Sequence, residues 1–364
     1  MPLGRRQFLG LAAGLALAEE KPKDESVTGS ATRDVVARTG LVLSSFTGSE
    51  EMDGTKLRGL AKPSPVDAEL TDAQLDALVL KALELGQMRR GSRGGGSRRR
   101  SAASEDWVVF LVRGADGPPG SGTDPRVVRS VLRAYVERGS GKRYTIARGS
   151  STKLSGFTGE WRKLTAEMRK LAPAARFELL DLNEDEWLEA PTFDRQMASR
   201  NPSGLYAVSK TIRQCDMVVS IAPLATDPLT GVALTTSNYF GIVPGSVYGY
   251  PKEKLLDLGA PEDVLMDLYM HQPPRFAVAG GALALEGEGD KPVRHNVVIA
   301  GYSNTAVDTV AASVMGFDAE KLPVLDKLVK RGFGVNDVYS IWTRGNEVEE
   351  ARRPFKKPAG WEKS

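Results

Sequence analysis

Two rhythms of apolar residues alternate along the chain from about residue 35 onward. Short apolar runs rich in β-branched residues fall at residues 35–46, 107–112, 144–147, 177–182, 217–221, 276–279, 297–300 and 339–343. Runs of this length, bounded by turn residues, are the pattern of strands buried on both faces. Between them apolar side chains recur every three or four positions, as in Leu70, Leu75, Leu78, Val79, Ala82 and Leu83, with Thr71 or Asp72 as a cap and Gly86 as a stop. Val127, Val128, Val131, Leu132, Tyr135 and Val136 repeat the pattern behind Thr123 or Asp124 and Pro125. Further helices are predicted at 160–171, at 251–270 in two pieces, after Asn304 as a cap, and near 322–330. The alternation predicts an α/β fold: a mostly parallel, open multi-stranded sheet flanked by helices, as one large domain or two closely packed lobes within residues 33–364. A chain of 364 residues with 41% hydrophobic content can bury the core this requires.

The stretch 216–250, DMVVSIAPLATDPLTGVALTTSNYFGIVPGSVYGY, breaks this rhythm. After the strand, Asp227 is placed to cap a helix and Pro228 to occupy its first turn. The predicted helix carries Thr230, Thr235, Thr236, Ser237 and Asn238 near the core. Buried hydroxyls and amides are costly without partners, so they bond to the backbone or face a ligand. A second polar stretch, GGALALEGEG, sets Glu286 and Glu288 among glycines in an expected loop, where the backbone can approach a ligand or turn sharply. Asp308 follows Asn304 by four residues and is either a helix-stabilising charge or a functional acid near the strand ends. The turn GADGPPGSGTDP lacks both the phosphate-loop lysine and the GxGxxG spacing, and is read as an ordinary turn. The acidic run 181–189, DLNEDEWLE, is read as a solvated loop.

Charge changes the picture at the N-terminus. GRRQFLGLAAGLALA joins Arg5 and Arg6 to a short apolar run and to Ala16 and Ala18, a twin-arginine export signal with cleavage expected after Ala18. The expected order is a signal peptide at 1–18, a flexible leader at 19–32 and the α/β domain thereafter. The expected partner is the twin-arginine translocation machinery, the location periplasmic or otherwise exported, and no stable membrane span remains after cleavage. Removing the two signal arginines from 49 basic residues leaves 47 against 46 acidic ones. A nearly neutral chain gives no electrostatic case for nucleic acid. The tract RRGSRGGGSRRR at 89–100 lacks interleaved aromatics and is read as a mobile, solvated loop rather than an RNA-binding segment. One cysteine, Cys215, excludes an iron–sulfur cluster or internal disulfide within this chain. Two histidines are too few for a histidine-rich zinc site, whereas Asp227, Glu286 and Asp308 are candidate carboxylates for a hard cation.

Three blocks, TDPRVVRSVL at 123–132, DMVVSIAPLATDPLTGVALTTSNYFGIVPGSVYGYPK at 216–252 and VVIAGYSNTAVDTVAASVMGFDAEKLP at 297–323, together resemble the domain-of-unknown-function 362 family. The resemblance covers most of the chain after residue 100 and implies no settled activity. The ferredoxin-like module of some relatives is ruled out here by the cysteine count. Where the family has Lys-Pro-Asn this chain has Arg113, Gly114 and Ala115. Where it has Lys-Thr-His and Lys-Asn, this chain has Ala225, Thr226, Asp227 and Ser237, Asn238. Two lysines and a histidine, groups suited to anions, adducts or metals, are absent together, while the threonine, the asparagine, Glu286-Gly287 and Asp308 remain. Two readings follow. One is a cleft at the strand carboxyl ends that binds a small ligand or cation, with Thr226, Asp227, Thr230, Asn238, Glu286 and Asp308 around it. The other is a catalytically silent relative acting as a binding or interaction module.

Overall fold

The computed structural model describes residues 38–52, 55–86, 106–115, 117–139, 141–149, 157–193, 201 and 203–364. The signal, the leader and the Arg/Gly tract at 89–100 lie outside the described residues. Eight of the apolar runs become strands of one sheet: β1 (Arg38–Leu43), β2 (Trp107–Arg113), β3 (Arg143–Gly149), β4 (Arg176–Asp181), β5 (Met217–Ala222), β6 (Phe276–Glu286), β7 (Lys291–Gly301) and β8 (Trp342–Gly345). Their order is β8-β1-β7-β6-β5-β2-β3-β4. The pairings make β7 alone run against the other seven.

Side chains alternate across this sheet and so build two cores. Val108, Phe110 and Val112 pack with α1 (Asp72–Leu85), α2 (Pro125–Glu137) and α3 (Gly159–Leu171). Val109 and Leu111, between them in sequence, face α4 (Pro261–Tyr269), α5 (Asn304–Val314) and α6 (Pro323–Lys330). Each fully buried aliphatic or aromatic side chain in these layers contributes about 1.5–3 kcal/mol relative to exposure. The helices begin where capping chemistry places them. Thr71 and Gln74 close a capping box on α1, and Asp124 accepts from the Arg126 amide at 2.9 Å ahead of Pro125 on α2. On α5 it is Ser303, not Asn304, that caps, leaving the Asn304 side chain free to turn inward.

Three segments differ from the sequence reading. The expected helix at Pro228 is a hairpin, in which Thr226 and Asp227 pair antiparallel with Val232 and Gly231. Asp227 accepts from the Leu229 and Thr230 amides at 2.9 Å, Gly231 sits at φ +78°, and the Trp361 ring packs on Gly231 and donates from Nε1 to the Pro228 carbonyl at 3.0 Å. The expected glycine loop after residue 279 instead continues β6 to Glu286 through a register shift between Gly281 and Leu283. Gly280 permits this, since its φ is +105° and a Cβ there would lie 2.1 Å from the Val297 carbonyl oxygen. From the end of the acidic run, Trp187–Pro191 pairs with Leu205–Ser209 as a separate ribbon.

The α4 side of the core also holds a buried histidine. His271 lies against Phe193 and Tyr206, with ring centroids at 4.8 and 6.2 Å, and among the described residues neither ring nitrogen has a hydrogen-bond partner. Burial first, and Arg213 second, push its pKa from 6.5 down to about 4. The folded state keeps this ring neutral while the unfolded chain protonates it near pH 6.5. Its contribution is therefore fully present above about pH 6.5 and is lost as pH falls toward 4. The loss is on the order of 3 kcal/mol. His271→Phe is expected to flatten the acid limb of stability in urea titrations between pH 7.5 and 4.5, with His295, shifted down by burial, supplying what slope remains. An unchanged slope in the variant would place the acid sensitivity elsewhere.

Candidate functional site

The sheet order reverses between β5 and β2. From β2 the chain steps outward through β3 to β4, then returns to the other flank of β2 as β5. At such a switch point the segments leaving the carboxyl ends part and open a crevice. A cavity of about 490 Å³ lies there, walled by the end of β2, the end of β3, the hairpin after β5, the 3-10 helix Thr236–Ile242 and the segment around Lys252.

Each wall is held by polar contacts. Thr123 accepts from the Arg113 amide at 2.9 Å and donates to the Ile221 carbonyl at 2.8 Å, locking the end of β2 to that of β5. The Arg113 guanidinium reaches across to the Ala233 carbonyl at 3.0 Å. Asn238 fastens the same junction from below: its Nδ2 donates to Leu111 O, Ser220 Oγ and Ile221 O at 3.2, 3.0 and 3.1 Å. Its Oδ1 is buried and has no hydrogen-bond partner among the described residues. Gly149 ends β3 directly against Gly241 of the 3-10 helix; a Cβ on Gly149 would lie 1.9 Å from the Gly241 oxygen. Lys252, only 6% exposed, donates through Nζ to the Phe240 carbonyl at 3.3 Å.

The predicted site residues separate into two groups. Asp227, Thr230 and Asn238 line the cavity, whereas Thr226, Glu286 and Asp308 do not. Thr226 is buried and donates to the Gly287 carbonyl at 2.8 Å. Glu286 accepts from the Lys356 amide at 3.0 Å, tying down the C-terminal segment. Asp308 is enclosed behind the cavity. Its Oδ1 accepts from the Thr235 amide and hydroxyl at 3.0 and 2.5 Å, and its Oδ2 from those of Thr236 at 2.9 and 2.6 Å. Burial pushes this carboxyl's pKa up, and the bonds from Thr235 and Thr236 oppose the shift. Asp308 thus fixes the start of the helix that carries Ser237 and Asn238. The carboxylates Asp227, Glu286 and Asp308 serve three separate places, and among the described residues no group of three or more His, Cys, Asp or Glu stands where it would hold a metal ion. Cys215 is buried away from the cavity, and burial, then Asp216, pushes its thiol up to about 12, which suits a packing residue.

Arg113, Lys252 and Glu253 were not among the predicted residues, yet all three line the cavity. Arg113 carried a readable signal, since it ends a core strand. Lys252 and Glu253 fall at the start of the predicted 251–270 helical stretch, where they cap and open the short helix Glu253–Leu256, and nothing in that pattern marks them as facing a cavity.

The profile of the family described as domain of unknown function DUF362 matches residues 110–313. No curated protein matches the chain. Among solved structures, lactate racemase apoprotein from Thermoanaerobacterium thermosaccharolyticum aligns at 16% identity with a TM-score of 0.39, over 71% of this chain and 60% of that one. A Thermotoga maritima protein aligns at 14% and 0.38, over 65% and 56%. The chain therefore spans less than two thirds of either. The family match covers more than half of the chain and every residue lining the cavity, and the protein belongs to the domain-of-unknown-function 362 family.

Proposed function

We propose that the switch-point cleft binds a small organic molecule bearing a carboxylate, drawn in by Arg113 and Lys252. The observation that carries this reading is the placement of two basic side chains on the wall of one 490 Å³ cavity at the carboxyl ends of parallel strands. That volume is ordinary for a small-ligand site. Arg113 offers a planar set of donors suited to a carboxylate, and Lys252 a compact positive charge. The test is thermal denaturation of the full chain with a panel of small carboxylic acids. At 100 times its dissociation constant a ligand stabilises by about 2.7 kcal/mol, which raises the midpoint by several degrees. Ser237→Trp, placed on the cavity wall, fills the space and is expected to abolish the rise while leaving unliganded melting close to wild type. A rise that persists in the filled variant would put binding at another place.

We further propose that the protein is exported folded by the twin-arginine route. Support comes from Arg5, Arg6, Phe8, Leu9 and the small residues at Ala16 and Ala18, all outside the described residues. Among the described residues no helix is long and apolar enough to cross a membrane. Changing both arginines to lysine is expected to leave full-length precursor in the cytoplasm. Normal export and trimming of that variant would refute the route.

A further inference from the structure

We infer that the ligand of this cleft is an amphipathic zwitterion, the class of an apolar amino acid, an inference that rests on the carboxylate-binding reading above. The first observation is charge. The cavity wall carries Arg113 and Lys252, but also Asp227 and Glu253. Among the described residues neither acidic side chain takes part in an ion pair; Asp227 uses Oδ1 within its own turn, accepting from Leu229 N, Thr230 N and Thr230 Oγ1. A dianion such as a phosphate monoester would meet two carboxylates as well as two cations, and like charges at close range cancel the gain. A ligand with one carboxylate and one ammonium complements both signs.

The second observation is the remainder of the wall. Leu229, Phe240, Leu255, Leu256 and Leu285 present apolar surface to the same cavity. Leu229 is 52% exposed at the hairpin tip, so a ligand's apolar body would remove it from water. Burying each added methylene against such a wall tightens binding roughly fourfold. Charge alone would accept glycine, and apolar surface alone an uncharged hydrocarbon. The two together select a zwitterion with an aliphatic or aromatic side chain.

Four probes separate the three parts of the ligand. L-Leucine carries all of them, 4-methylpentanoate lacks the ammonium, 3-methylbutylamine lacks the carboxylate, and glycine lacks the apolar body. In calorimetric titrations of the full chain, leucine is expected to bind tightest, with each of the others at least about tenfold weaker. Glu253→Gln, a change at an exposed side chain that makes no hydrogen bond among the described residues, is expected to weaken leucine and leave 4-methylpentanoate unchanged. If 4-methylpentanoate binds as tightly as leucine, and leucine is indifferent to Glu253→Gln, the zwitterion inference fails while the carboxylate site stands. If glycine equals leucine, the apolar half of the inference fails. If no carboxylate binds, the site reading itself falls.

Discussion

Asp308→Asn is expected to destabilise the protein by roughly 3–5 kcal/mol, a large share of a domain's total stability. Each carboxylate oxygen receives a backbone amide, from Thr235 and from Thr236, together with that residue's hydroxyl. Backbone N–H groups can only donate. Whichever way the new amide is turned, its NH₂ faces one of them, leaving a buried donor without an acceptor at about 1–3 kcal/mol. The charge on the remaining bonds is lost as well, and charge-assisted bonds are worth about twice neutral ones. Thr235→Val, which removes one hydroxyl and keeps the carboxylate, is expected to cost about 1 kcal/mol. Guanidinium unfolding checks both, and an asparagine variant within 1 kcal/mol of wild type would mean that the network is not what holds this helix. Because the network sets Thr235 and Thr236, the variant is also expected to bind ligand more weakly.

Gly149→Ala is expected to cost about 3 kcal/mol and to disable the cleft. The added Cβ would sit 1.9 Å from the Gly241 oxygen and 2.5 Å from its carbonyl carbon, and both are backbone atoms. No rotamer change relieves such a contact, so the end of β3 and the 3-10 helix must separate. That movement widens the junction on which Ser237, Asn238 and Phe240 are mounted. Gly159→Ala is the matched control, since a Cβ there meets nothing within 4 Å at the start of α3. It is expected to be neutral or slightly stabilising. Equal melting temperatures for the two variants would show that the close approach of Gly149 and Gly241 is not needed.

The sheet was legible because its signal is intrinsic to each segment. A run such as Val108 to Val112 is apolar on both faces, and only a covered strand accommodates that. The capped helices were legible for the same reason, with Thr71 and Asp124 at their starts. The hairpin at Asp227 was not, because an aspartate accepting two following amides is the same local chemistry at a turn and at a helix start. What decides between them is Gly231 and its packing under Trp361, a contact 130 residues away in sequence. The glycines of β6 read as a loop because the close approach of Val297 that requires Gly280 belongs to the neighbouring strand. At the cleft, Asp227, Thr230 and Asn238 were readable from the density of polar groups after β5. Glu286 and Asp308 looked the same in sequence, but the fold spends their oxygens on backbone amides of Lys356, Thr235 and Thr236. Lys252 and Glu253 reach the cavity from the start of the short helix Glu253–Leu256, and one turn is too short for periodicity to show which face meets the cavity.

Hydrogen–deuterium exchange of the full chain, with and without saturating L-leucine, tests the binding cleft most directly. Slowed exchange is expected in the segments 113–115, 117–121, 226–241 and 250–256, which wall the cavity, with the α1–α3 face unchanged. Tight binding with no protection in those segments, and protection elsewhere, would contradict binding at the cleft.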